Sequence, residues 1–321
     1  DIYLDRVKTK YSGLNSTELA ISESQERMSV VIEAKDMAEF MGYCREENIE
    51  AVHVADVTDT ARMRMFNGDR KVVDLSREFI DSAGAKHYAE AKIGEVENRN
   101  PFLREVAGET LAERFANNLK DNNVLSQRGL IEMFDSTIGR STVLMPFGGR
   151  TQRSETQVSV QKLPVEGYTE TASIMAYGYN PFLTSWSPYH GAAYAVVEAC
   201  AKAVAAGAEF GGMRFSYQEY FERMHTARSW GKPLAALLGA LRMQVELGLP
   251  SIGGKDSMSG TFQQINVPPM LMAFGITTVD ARRVISTDLK EAGHTLYLLK
   301  HTPKANRMPD TAALRTLWNY A

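Results

Sequence analysis

The chain has 321 residues, 44% of them hydrophobic and 23% charged, with a net charge of −3. That length builds two or three domains with real cores, and the balance is that of an ordinary globular protein. The near-neutral charge gives no general attraction to nucleic acid or an anionic membrane surface, and no run approaches the ~20 apolar residues of a membrane span.

Residues 14–87 read as one α/β unit. Leu19-Ala20-Ile21 leads through the polar stretch Ser22 to Arg27 into a strand-like apolar run, Met28 to Ile32. The polar stretch is either a solvated loop, with Glu26 and Arg27 in surface ion pairs of little worth, or a loop end that binds a polar ligand. Asp36 is placed to cap a helix with Met37, Phe40, Met41 and Cys44 on one face. Ala51 to Val54 reads as a short strand. Arg62–Phe66 and Lys71–Leu75 flank Asn67-Gly68, a hairpin signal, and Ser76 caps a short helix through Ile80.

Residues 88–135 are charged and helical in pattern. Pro101 fits a first helical turn, and Leu103, Val106, Leu111, Phe115 and Leu119 recur at roughly helical spacing, so the segment reads as a helical connector. A larger domain follows over 136–285. Ser141–Met145, Gln157–Leu163, Thr171–Tyr179, Arg214–Tyr217 and Pro268–Thr278 read as strands. Ser187-Pro188-Tyr189-His190-Gly191 introduces a small-residue helix, Ala192 to Ala206, with Gly207 as its stop. Pro233 to Leu247 reads as an amphipathic helix with Leu234, Leu237, Leu238, Leu241 and Val245 on its apolar face. Residues 286–321 start a third unit with a strand over His294 to Lys300. The chain opens at Asp1 without a signal-peptide pattern and closes soon after that strand, so it reads as a piece of a longer polypeptide.

Cys44 and Cys200 make neither a disulfide framework nor a zinc pattern, and fit a reducing, cytoplasmic compartment. Cys200, in an apolar run, reads as a small core residue rather than a nucleophile. His53, His87, His225, His294 and His301 have no metal-ligand spacing, and His190, just before a helix, reads as structural.

The densest chemistry lies in Ser251-Ile252-Gly253-Gly254-Lys255-Asp256-Ser257-Met258-Ser259-Gly260-Thr261. Adjacent glycines let a backbone approach a ligand, Lys255 is a mobile charge suited to phosphate, Asp256 offers oxygen to magnesium, and the hydroxyls donate and accept. The spacing is not that of a P-loop, and a polar turn of small residues stays open as the alternative.

Together with Ser22-Glu23-Ser24-Gln25-Glu26-Arg27-Met28, Ser187-Pro188-Tyr189-His190-Gly191-Ala192 and Gln218-Glu219-Tyr220-Phe221, this stretch resembles the phosphoribosylformylglycinamidine synthase family in its large single-chain form, in the same order and over nearly the whole chain. The resemblance implies an α+β fold of aminoimidazole ribonucleotide synthetase-like domains: a half-barrel β-sheet with flanking helices plus a partial α/β domain. It assigns 1–87 to the later part of one unit's second domain and 88–130 to a linker. It assigns 131–285 to the barrel-forming, nucleotide-site domain of the next unit, and 286–321 to the start of a truncated last domain.

The implied activity is an ATP-dependent C–N ligase of purine biosynthesis. ATP activates the amide oxygen of formylglycinamide ribonucleotide, and ammonia released from glutamine in a glutaminase domain displaces phosphate. Neither cysteine is assigned as a glutaminase nucleophile, no catalytic residue falls in this piece, and alone it is expected to be inactive. By the match, Glu23, Ser24, Gln25 and Ser257 bind substrate, Gly253, Gly254, Lys255, Ser257 and Ser154 bind ATP, and Asp256, Glu155 and Glu198 bind magnesium. The family places an asparagine one helical turn after the Glu198 position, where this chain has Lys202. The auxiliary nucleotide site is therefore expected to have exchanged a metal for the lysine charge, although Glu198 and Lys202 are also an ordinary i, i+4 pair. Two alternatives stay open: another ATP-dependent kinase or synthetase of the superfamily, and a non-catalytic scaffold with a structural nucleotide. An exposed barrel edge predicts a homodimer.

Overall fold

A computed structural model describes residues 1–22, 27–84, 86, 88–133 and 140–321. The chain divides into a smaller unit, Asp1–Tyr88, and a larger one, Ala89–Ala321.

In the smaller unit, β1 (Ile2–Tyr3) runs parallel to β2 (Arg62–Asn67), which follows α1 (Ser16–Ile21) and α2 (Met37–Glu46) in the chain. β2 pairs with β3 (Arg70–Ser76) through the Asn67-Gly68 turn, where Gly68 takes φ +58°. Asn15 caps α1 by accepting from the Thr17 and Glu18 amides, while Glu18 accepts from the Asn15 amide, a reciprocal box. Ser76 caps α3 (Arg77–Asp81) by accepting from the Phe79 amide. Asp36 precedes α2 as expected but makes no side-chain capping bond. Two expected strands are absent. Residues 28–32 are exposed and pair with no strand among the described residues, and Ala51–Val54 is reduced to a single bridge between Ala55 and Ile2. Apolar runs become strands only where a neighbour takes their amides and carbonyls.

In the larger unit the connector is mostly irregular. α4 (Leu111–Leu119) starts not at Pro101 but at Thr110, which forms a capping box with Glu113, and a single turn, α5 (Arg128–Ile131), follows. β4 (Phe147–Gly148) pairs with β5 (Ser154–Glu155); the expected strand at 141–145 shrinks to a bridge from Thr142 to Gln161. β6 (Val158–Lys162), β7 (Thr171–Gly178), α6 (Pro181–Trp186), α7 (Pro188–Ala205), β8 (Arg214–Tyr220), α8 (Ala227–Leu247), β9 (Ser251–Lys255), the small hairpin β10 (Thr261–Phe262) and β11 (Ile265–Asn266), and β12 (Met270–Asp280) complete the domain. The main sheet has the order β6-β7-β12-β8-β9, antiparallel except for β8 and β9, which run parallel across the α8 crossover. α7 covers one face: Ala172, Ile174, Ala176, Phe215, Leu271 and Ala273 point into it and are buried. Met175, Tyr177 and Ile276, in the other phase of the same strands, are exposed. His294–Lys300 is exposed and not a strand, and α9 (Thr311–Tyr320), capped by Asp310, packs on α8.

α8 inverts its expected face. Leu234 is 39% exposed and Val245 73%, whereas Gly231, Ala235, Ala236, Gly239 and Ala240 are buried. The reason is close approach. A Cβ on Gly239 would lie 2.0 Å from the Tyr189 carbonyl oxygen at the start of α7, and one on Gly231 would lie 2.0 Å from the Lys92 carbonyl. Small residues let two helices meet at the backbone, and leucine does not fit there. α8 also begins at Ala227 rather than Pro233, because Thr226 and Ser229 form a capping box ahead of the proline.

Both cysteines are buried. Burial pushes the Cys200 thiol up to about 12, so almost none of it is thiolate at pH 8. The expected result with a chromogenic disulfide reagent at pH 8 is no rapid reaction in the native chain and release of two thiols after unfolding in guanidinium. A fast-reacting thiol in the native chain would contradict this burial. Among the described residues no helix is long and apolar enough to cross a membrane.

Candidate functional site

Two places in the larger unit gather the candidate site residues. The first is a cleft of about 680 Å³ whose lining includes Glu155, Thr156, Tyr177, Glu198, Lys202 and Phe274. Gly178 ends β7 against α7, where a Cβ would lie 2.0 Å from the Ala195 carbonyl and 2.9 Å from Glu198 Cβ. That contact holds Glu198 at the strand end. Its Oε2 accepts from the Tyr179 amide at 3.0 Å, and its Oε1 lies 2.7 Å from Lys202 Nζ. Lys202 Nζ also donates to the Tyr177 carbonyl at 3.0 Å and sits 4.4 Å from the centre of the Tyr177 ring. Its side chain is 15% exposed, so this is no loose surface pair. The cation is held by a carboxylate, a carbonyl and a ring face at the edge of the cleft.

The remaining lining suits a ligand with a flat apolar part and a polar part. Tyr177 and Phe274 are neighbours at 6.3 Å, and the Thr156 hydroxyl is buried without a hydrogen-bond partner among the described residues. A buried hydroxyl left unpaired is unfavourable, and a bound polar group would satisfy it. Glu155 lies across the cleft on β5, where its carboxylate accepts from the Ser126 hydroxyl at 3.3 Å. Ser154 is not part of the lining; its carbonyl accepts from the Thr287 hydroxyl at 3.4 Å. Both Glu198 carboxylate oxygens have partners, and the Lys202 ammonium stands at Oε1, where the sequence reading placed a metal.

The second place is the glycine-rich segment. Its first half is not a loop but the edge strand β9, parallel to β8. Gly254 pairs beside Tyr217, whose carbonyl would lie 2.6 Å from an added Cβ; Gly253 has open space. Lys255 Nζ donates to Ser257 Oγ at 3.3 Å. The Ser257 amide donates to the Glu219 carbonyl at 3.1 Å and the Phe221 amide to the Ser257 carbonyl at 2.8 Å, fastening the segment along the end of β8.

This arrangement brings Asp256 to Glu219, a residue to which the sequence reading gave no role. Glu219 is 2% exposed. Burial first, and a hydrogen bond with the Asp256 carboxylate second, push its carboxyl up to about 8. The missed signal was its phase: Phe215, Tyr217 and Glu219 alternate on the buried side of β8.

Thus Glu155, Glu198 and Lys202 come together in the cleft, whereas Gly253, Gly254, Lys255, Asp256 and Ser257 lie outside its lining. Glu23, Ser24 and Gln25 lie outside the described residues. His190 is structural. Its Nε2 faces the Asn306 carbonyl at 3.0 Å and so carries the proton, leaving Nδ1 to accept from the Ser187 hydroxyl at 2.8 Å. Burial lowers its pKa, which keeps it neutral.

Residues 1–66 match the profile of the AIR synthase related protein, C-terminal domain. Over 305 residues, 93% of the chain, the sequence is 25% identical to phosphoribosylformylglycinamidine synthase subunit PurL of Thermoplasma acidophilum. The corresponding subunit of Methanothermobacter thermautotrophicus is 28% identical over 211 residues, 64% of the chain and 27% of that subunit. The fold matches Thermotoga maritima PurL complexed with ADP, with a TM-score of 0.63 at 20% identity, over 89% of this chain and 43% of that one. The same enzyme complexed with FGAR also gives 0.63. The resemblance drawn from the motifs therefore holds over most of the chain, and the fold is that of these synthetases. The chain spans 39% of the length of the Thermoplasma relative.

Proposed function

We propose that the chain is part of the ATP-dependent ligase that converts formylglycinamide ribonucleotide to its amidine in purine biosynthesis, and that its cleft between β6, β7 and α7 binds an adenine nucleotide. The observation that carries the nucleotide reading is Lys202. Its ammonium is fixed at the rim of a cleft that also offers an aromatic floor and an unpaired buried hydroxyl. A lysine held in this way meets phosphate as a point charge, and the rings accept a base. Relatives of this fold complexed with ADP, ATP and AMPPCP support the ligand class.

In this reading Lys202 supplies the positive charge at Glu198, and magnesium enters elsewhere, at Asp256. Glu23, Ser24 and Gln25 bind the ribonucleotide, and Gly253, Gly254, Lys255 and Ser257 form a wall for the phosphates of the nucleotide being consumed. The reaction turns a poor leaving group into phosphate, so cations near the transferred phosphoryl group are what this wall contributes. The groups that complete catalysis, including the glutaminase, belong to further parts of a single long chain or to partner subunits. Alone, the chain is not expected to turn over formylglycinamide ribonucleotide. The exposed apolar sheet face, beyond the cleft and including Ile276, is a half-barrel surface that a second such domain closes, from the same polypeptide or a second copy.

Titration calorimetry with ADP and ATP tests the reading. Saturable binding of either nucleotide, competed by the other, is expected. A well-folded chain that binds neither would leave the scaffold role in its place.

A further inference from the structure

The segment 301–310 leads into α9 and is held at two points. α7 pins its middle: the Tyr194 hydroxyl donates to the Arg307 carbonyl and His190 Nε2 to the Asn306 carbonyl, each at 3.0 Å, and Met308 is buried in the core. Its end is held by its own start. The Asp310 amide donates to His301 Nε2 at 3.0 Å, while the Asp310 carboxylate caps α9 by accepting from the Ala312 and Ala313 amides at 3.1 Å. One imidazole nitrogen thus orients the residue that starts the helix. From there α9 docks on its neighbours: the Thr311 hydroxyl donates to Glu246 Oε2 at 2.9 Å, Arg315 donates to the Glu246 carbonyl at 2.8 Å, and the Trp318 ring lies 5.3 Å from that of Phe210.

A backbone amide donates and cannot turn to accept. His301 is therefore neutral with its proton on Nδ1, and a second proton at Nε2 would set two donors face to face. The charged group facing His301 is the Asp310 carboxylate, which draws an imidazolium toward itself and away from the Ala312 and Ala313 amides that it caps. Glu246 of α8, the other carboxylate at this corner, is turned to Arg242 at 2.7 Å and to Thr311, with Lys304 at 4.0 Å. His190 differs, because its Nδ1 partner is the Ser187 hydroxyl, which can turn from donor to acceptor. We infer that His301 is a pH-sensitive latch on α9, closed while the imidazole is neutral and open once it is protonated. Burial lowers the His301 pKa, against the opposing pull of Asp310. The folded value lies below the unfolded one, so the latch contributes fully above the ordinary histidine value of about 6.5 and is lost as pH falls through the folded value. It uses no residue of the Glu198–Lys202 cleft and stands without the nucleotide reading.

Hydrogen exchange of the whole chain, read by mass spectrometry at about pH 7.5 and about pH 5.5, tests it on wild type, His301→Gln and His301→Phe. Protection factors divide out the intrinsic pH dependence of exchange, and α9 is compared with β7 and β12 in the same sample. In wild type, α9 is expected to lose about three- to tenfold of its protection relative to those strands at the lower pH, the worth of one hydrogen bond. In His301→Gln the side-chain oxygen accepts from the Asp310 amide without titrating, so that loss should vanish. In His301→Phe no acceptor is left, and α9 should be weakly protected at both pH values. Unchanged relative protection of α9 in wild type, or an equal loss on acidification in His301→Gln, would overturn the inference. Should the glutamine variant fail to fold, a pH-dependent loss that persists in His301→Phe would overturn it equally.

Discussion

Gly239→Ala is expected to destabilise the larger unit by about 2–3 kcal/mol, the cost of forcing volume into a closed core. Helix propensity alone predicts the reverse, since alanine in a helix interior gains up to about 1 kcal/mol over glycine. The contact decides. The added Cβ would lie 2.0 Å from the Tyr189 carbonyl oxygen and 3.1 Å from its Cα, and these are backbone atoms that cannot rotate away. Gly231→Ala meets the Lys92 carbonyl at the same distance and is expected to behave likewise. Thermal melts followed by circular dichroism should show Tm lowered by roughly 4–10 °C for either. Gly42→Ala in α2 is the counterpart, because the nearest atom to its Cβ is a flexible Arg45 nitrogen at 3.9 Å. There alanine is expected to raise stability by about 0.5–1 kcal/mol. If Gly239→Ala also stabilised, α7 and α8 would not meet at the backbone as described.

Lys202→Met is expected to weaken ADP binding about 10- to 100-fold, the usual worth of one hydrogen bond from a charged group. Methionine keeps an unbranched apolar stem of similar reach, so stability should change far less than affinity. The variant also leaves Glu198 Oε1 without its ammonium while Oε2 keeps the Tyr179 amide. The freed oxygen then attracts a cation, so binding by the variant should become dependent on Mg2+. Calorimetric titrations of wild type and Lys202→Met, each with EDTA and with MgCl2, read both effects. Equal ADP affinity in the two proteins would remove Lys202 from the site.

Much of the larger unit was legible from local pattern. β7, β12 and α7 follow alternation and small-residue content directly, and Gly207 stops α7 with φ +105°. The hairpin at Asn67-Gly68 and the Ser76 cap were equally local signals. What failed depended on partners. Residues 28–32 and 294–300 have strand composition but no strand beside them among the described residues. α8 misled because periodicity ranks leucine above alanine, whereas close helix contact reverses that order.

The site was legible in parts. Glu198 and Lys202 were singled out and do meet at the cleft, and Cys200 is the inert core residue expected. Glu219 went unnoticed because composition cannot show that a glutamate falls on the buried phase of a strand. Asp256 could not be assigned a neighbour until the β8–β9 pairing placed it beside that glutamate.

The central claim is that Lys202 provides the cation of a nucleotide cleft. ADP titration of the wild-type chain in EDTA tests it most directly. Saturable binding within about threefold of the affinity in MgCl2, weakened about 10- to 100-fold in Lys202→Met, is the predicted result, since a threefold change is well under 1 kcal/mol. Binding that vanishes in EDTA and is indifferent to Lys202→Met would contradict it.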